Sequence, residues 1–98
     1  MAFRVTISAR AESNLDEIIE YLDREWPKKV KDNFLLLLKE KIYFISENPY
    51  LYPVSGKRKG VRRCVLGQQN ILYYRIQKIE IEIITIQDVR KNPKKLRL

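Results

Sequence analysis

The sequence predicts an α+β fold: an N-terminal strand, an antiparallel two-helix hairpin and then a three-strand antiparallel meander, forming one sheet packed against the helices. Three observations lead there. Phe3, Val5 and Ile7 alternate with polar residues over positions 3–8, apolar residues recur at three- and four-residue spacing over 9–47, and strand-like runs return from residue 61. The links within that last part, residues 67–70 and 78–79, are far shorter than the crossover of about a dozen residues that a parallel return needs. Its strands are therefore expected to be antiparallel neighbours.

Taken in order, residues 3–8 make a strand with one buried face, and Ser8 offers a hydroxyl to cap the helix after it. Over residues 9–26, Ala11, Leu15, Ile18, Ile19, Leu22 and Trp26 form one stripe while Glu12, Asp16, Glu17, Glu20 and Asp23 fill the other face. Pro27 is expected at the first position of a second helix, where its missing N–H is harmless. Up to Glu47, Val30, Phe34, Leu37, Leu38, Ile42 and Ile45 share a stripe, and Leu35, Leu36 and Phe44 spill beyond it. That surplus either covers more of the sheet or forms an exposed groove for another chain. So short a link makes the two helices antiparallel neighbours. Asn48-Pro49 stops the helix, and the aromatic and proline residues of 50–56 are placed over the end of the core. Runs rich in β-branched and aromatic residues over 61–66, 71–77 and 80–87 supply the meander. A basic tail, residues 88–98, closes the chain, with Arg90 either paired to Asp88 or turned toward the other arginines.

Ninety-eight residues suit one domain, residues 1–98. Its net charge of +8 is unevenly spread. Residues 57–98 hold twelve Lys/Arg against three acids, a net +9, whereas residues 1–56 hold eight against nine. The C-terminal half is thus the expected working surface, suited to an anionic partner such as nucleic acid or an acidic protein segment. One cysteine, Cys64, and no histidine leave no internal disulfide and no metal-ligand cluster, so no metal or cofactor is expected. No apolar run reaches a membrane-span length and no signal-peptide layout opens the chain, which makes the cytoplasm the expected compartment.

Without histidine, proton transfer would fall to Asp, Glu, Tyr or Lys, and no phosphate-binding glycine loop or nucleophile elbow is present. Arginine geometry remains. Arg62 and Arg63 are adjacent in a strand and face opposite sides, while Arg75 shares a face with Tyr73 and Tyr74 faces the other way. One facet is expected to gather Arg75, Tyr73, a second-strand arginine, the basic loop Lys57, Arg58 and Lys59, and the C-terminal Arg90 with Lys91. Guanidinium forks bind phosphates and aromatic rings stack on bases, so the facet suits an RNA, a DNA or another target. The alternative is that at least one of Tyr73 and Tyr74 belongs to the core.

The order of elements, with Ser8-Ala9-Arg10-Ala11, Leu15-Asp16-Glu17-Ile18, Tyr21, residues 45–49, Val61-Arg62, Tyr73-Tyr74-Arg75 and residues 88–93, resembles the RelE/ParE superfamily of type II toxin–antitoxin toxins over nearly the whole chain. The resemblance implies a toxin of the plasmid-stabilisation type that arrests growth, occurs as a homodimer or an antitoxin-bound hetero-oligomer, and is neutralised by a cognate antitoxin. ParE-like members inhibit DNA gyrase without hydrolysis; RelE-like members cleave mRNA on the ribosome by 2′-hydroxyl attack. If this chain cleaved RNA, the resemblance would make Arg62 (or Arg63), Arg75 and Arg90 catalytic, with the lysines of the 57–59 loop matching more loosely. RelE-like enzymes usually carry an aromatic residue near the C-terminus, and here none follows Tyr74. That departure and the two long helices favour the gyrase branch, with a non-toxic antitoxin-binding module as a further alternative.

Overall fold

Periodicity and structure agree on every element: β1 (Arg4–Ile7), α1 (Ala9–Glu25), α2 (Lys28–Glu47), β2 (Val61–Leu66), β3 (Asn70–Gln77) and β4 (Glu80–Asp88) lie along the chain in that order. The structure is a computed structural model and describes residues 2–56 and 58–89. Ser8 caps α1 as expected: its Oγ accepts from the Ala11 N–H at 3.0 Å and donates to the Ile84 carbonyl at 2.7 Å. One hydroxyl thus starts the helix and moors it to the sheet. Pro27 differs from expectation by one position. It stands at the N-cap of α2 with extended ψ 151°, and Lys28 opens the helix.

The strand order is β1-β4-β3-β2. The meander is antiparallel, with Arg62 opposite Tyr74 and Ile76 opposite Ile81. β1 pairs parallel to β4, Arg4 lying opposite Glu80 and Ile7 opposite Ile83, so the complete sheet is mixed. The long crossover that a parallel pair requires is here the helical hairpin together with β2 and β3.

A bulge sits on β4. Tyr73 opposes Thr85 and Tyr74 opposes Ile83, which leaves Ile84 as the extra residue. At this point β4 exchanges one edge partner for another. The Ser8 N–H bonds the Ile83 carbonyl at 3.0 Å, and beyond it Asn14 Oδ1 accepts from the Ile86 N–H at 3.2 Å and the Thr85 hydroxyl at 2.6 Å. Helix α1 therefore finishes the edge that β1 begins.

The core lies between the sheet and the hairpin, where Ala11, Leu38 and Ile45 meet Leu66, Leu72, Tyr74, Ile81 and Ile83. Cys64 joins them as a fully buried free thiol, in keeping with its reading as a small apolar strand residue. Loop 48–56 is tied under this core: the Tyr74 hydroxyl donates to the Pro49 carbonyl at 2.7 Å, and the Arg63 N–H donates to the Pro53 carbonyl at 3.0 Å. Of the surplus apolar residues on α2, Leu36 and Phe44 stay exposed. No helix among the described residues is long and apolar enough to cross a membrane.

Candidate functional site

The strand arginines separate as the alternation requires. Arg63, Tyr73, Arg75 and Glu82 lie on the face turned away from the helices, because Arg63 opposes Tyr73 and Arg75 opposes Glu82. Arg75 is held there: its Nε and Nη2 both stand 2.8 Å from Glu82 Oε1. Tyr73 is only 4% exposed, so its ring is covered. Arg63, Arg58 and Lys59 are exposed. Lys57, Arg90 and Lys91, the remaining members of the expected facet, lie outside the described residues.

Arg62 goes to the helix side instead, away from Arg75. Its Nη1 donates to the Tyr52 carbonyl at 2.7 Å and the Tyr50 carbonyl at 3.3 Å, while its guanidinium carbon lies 5.3 Å from the Tyr50 ring centre. A guanidinium suits this task, since it offers several donors in a plane and a flat face to an aromatic ring. Around it Phe3 meets Tyr50 edge-on at 6.5 Å, Phe44 meets Tyr52 at 5.9 Å and Tyr52 meets Tyr74 at 6.4 Å. Loop 49–54 is thus braced from within, although its outer side chains face solvent.

The phenols in this cluster hold their protons tightly. Burial, with a hydrogen bond to Cys64, pushes Tyr52 up to about 12. Burial raises Tyr74 further, the positive charge of Arg62 opposing it. The Cys64 thiol is also raised by burial, against the hydrogen bond of Tyr52 and the field of Lys41. None of the three is poised to take a proton near neutrality. Among the described residues no group of three or more His, Cys, Asp and Glu side chains comes together to hold a metal.

A concavity lies elsewhere, between the hairpin and the far end of the sheet. It is a groove of about 650 Å³ with a floor of Ile18, Leu22, Phe34, Leu37, Leu66 and Ile86 and a rim that includes Glu17, Gln68, Asn70 and Asp88. Trp26 closes one end, its indole N–H donating to the Tyr21 hydroxyl at 3.3 Å. Near the hairpin tip Lys31 Nζ stands 2.8 Å from Asp23, which raises the lysine pKa and fastens α2 to α1. Such a trough, apolar inside and polar at the lip, suits an amphipathic helix from another chain.

Sequence reasoning missed the Arg75 pair and the groove. The pair had a signal: counting back across the turn at Lys78 and Ile79 sets Gln77 against Glu80 and hence Arg75 against Glu82. The groove had no such signal, since the surplus Leu35, Leu36 and Phe44 do not line it and its floor combines both helices with the ends of β2 and β4.

Known proteins share this outline. The sequence pattern of the family described as ParE toxin of type II toxin-antitoxin system, parDE, matches residues 5–93. Toxin ParE1 of Caulobacter vibrioides is 31% identical over 81 residues, covering 82% of each chain. Among solved structures, one from a chromosomal ParDE toxin–antitoxin system of P. aeruginosa superposes with a TM-score of 0.74 at 20% identity, over 90% of this chain and 97% of that one. The toxin–antitoxin complex DinJ-YafQ of E. coli gives 0.61 at 14% identity, over 90% and 93%. The YoeB dimer of Staphylococcus aureus gives 0.62 at 15% identity, over 89% and 97%. These structures share the fold.

Proposed function

Because this chain belongs to the ParE toxin family of type II toxin–antitoxin systems, we propose that it arrests growth by holding DNA gyrase, without cutting nucleic acid, until an antitoxin silences it. What supports docking over cleavage is the engagement of Arg62 and Arg75, two of the three meander arginines. RNA cleavage needs cations converging on one phosphorane and a group that accepts the 2′-hydroxyl proton. Here Arg62 is spent on backbone carbonyls, Arg75 on Glu82, and the two sit on opposite faces of the sheet. The chain has no histidine, and Tyr52 and Tyr74 keep their protons. The exposed cations Arg63 and Lys59 then serve as steering charge for an anionic target surface.

For neutralisation, the groove between α1, α2 and the β2–β3 turn is the natural seat for an antitoxin helix. An antitoxin partner fits both the family and the likeness to structures taken from toxin–antitoxin systems.

The test is to add the purified chain to gyrase and measure DNA supercoiling, with ribosome-bound mRNA probed in parallel by primer extension. Inhibited supercoiling with intact mRNA is the expected result. New mRNA ends would overturn the reading in favour of a ribonuclease, and no effect on either substrate would make the chain a non-toxic antitoxin-binding module.

A further inference from the structure

The groove leaves a second apolar surface unexplained. At the other end of α2, Tyr43 is 67% exposed, and after the helix stops Tyr50 is 64%, Leu51 69% and Val54 53% exposed. Large apolar side chains concentrated in one short stretch are unusual on a surface that meets only water. They are also held in place. The Asn48 side chain and backbone N–H both bond the Phe44 carbonyl, the Leu51 N–H bonds the Asn48 carbonyl, and Arg62 grips the carbonyls of Tyr50 and Tyr52. A preset ridge loses little conformational freedom on binding, which suits a recognition surface.

Charge identifies what such a ridge takes. Among the described residues of 39–63, Lys39, Arg58, Lys59 and Arg63 are exposed and Lys41 half-buried, against Glu40 and Glu47, and the field of Lys41 reaches Cys64 behind the loop. Leu51 and Val54 have no flat face to offer a base, and Arg62 already covers one face of the Tyr50 ring. Stacking on nucleotides is therefore poorly served, while apolar anchors within a cationic surround fit a peptide. We propose that the ridge at residues 43–54 docks an acidic protein segment bearing apolar anchors, as a surface separate from the groove. This inference stands whether the toxin acts on gyrase or on the ribosome.

The separation in space is physical. Val30 and Leu37 line the groove, and Tyr43 lies about two to four helical turns further along α2. Occupying the groove consequently leaves the ridge accessible, so a chain with its groove filled can still present the ridge to a partner.

The test uses the full-length chain and a labelled probe peptide of about a dozen residues, alternating Asp and Glu with Leu and Phe, read by fluorescence anisotropy. The control has the same charge with Ser in place of Leu and Phe, and a labelled DNA duplex is titrated beside it. The probe is expected to bind roughly tenfold tighter than the control, and Leu51→Ser with Val54→Ser to abolish that margin. Both positions are exposed, so the variant keeps its fold, which circular dichroism verifies. Lys59→Glu, at another exposed position, is expected to weaken the probe several-fold at low salt and little at high salt. Equal binding of probe and control, unchanged binding by the double variant, or a loss confined to the DNA duplex would each overturn the proposal.

Discussion

Helix α2 supports two apolar surfaces built on opposite principles. At its N-terminal half the groove is concave, its floor is the core itself, and its rim carries Glu17 and Asp88 among amides. At its C-terminal end the ridge is a set of exposed side chains on a braced loop, in a stretch of sequence rich in Lys and Arg. The groove exists because two helices and the sheet diverge, so it is inseparable from the fold. The ridge depends on a few polar ties beneath otherwise dispensable side chains. Mutations should accordingly damage stability at one and recognition at the other.

The sharpest way to break this contrast is a pair of truncations. Leu66→Ala, at a buried position on the groove floor, is expected to lower unfolding free energy by about 3 kcal/mol in a urea titration, whereas Leu51→Ala on the ridge should change it by less than about 0.5 kcal/mol. Similar losses at both would dissolve the distinction. Next comes the brace. Arg62→Ala removes charged bonds to two carbonyls and should lose about 2 kcal/mol, with hydrogen exchange accelerated in 50–56 and unchanged along the groove helices. Exchange that rises evenly across the chain would mean that Arg62 supports the whole fold.

A smaller effect is expected from Tyr74→Phe, about 1 kcal/mol, because the Pro49 carbonyl loses its donor while the ring remains packed. Arg75→Ala should lose less, under about 1 kcal/mol, since its pair with Glu82 is partly exposed and screened. Stability measured in low and high salt separates that contribution from packing. The last effect appears only in alkali. Tyr52 is raised in the folded state from 10.0 to about 12, so its contribution is intact below pH 10 and fades as pH climbs toward 12. Tyr52→Phe should flatten that part of the stability curve, and an unaltered alkaline limb would exclude Tyr52 as its source.

The contrast also explains how much was legible in the sequence. Periodicity gave both helices and all four strands nearly to the residue, because Ile18, Leu22, Ile81 and Ile83 repeat at spacings that only one regular backbone can bury. The opposition of Arg62 and Arg63 came from the same rule. What it could not supply was the partner of each guanidinium. Arg62 turned to carbonyls ten and twelve positions earlier because the loop returns beneath it, and no spacing encodes that return. The parallel placement of β1 likewise depended on packing between elements at the two ends of the sequence. Facing direction is a local property, whereas engagement is a tertiary one.

The pairing of β1 with β4 also sets a schedule. Arg4 waits for Glu80, 76 residues later, so the first strand leaves the ribosome long before its partner exists. The helical hairpin can gather early from local contacts, but the sheet edge and the groove floor wait for β4 and Ile86. At typical synthesis rates of about 5–20 residues per second, that is an interval of seconds in which the nascent protein has helices and neither finished surface. A chain built this way acquires the complete groove only once Ile86 has been made, so any partner that seats there meets both helices already formed.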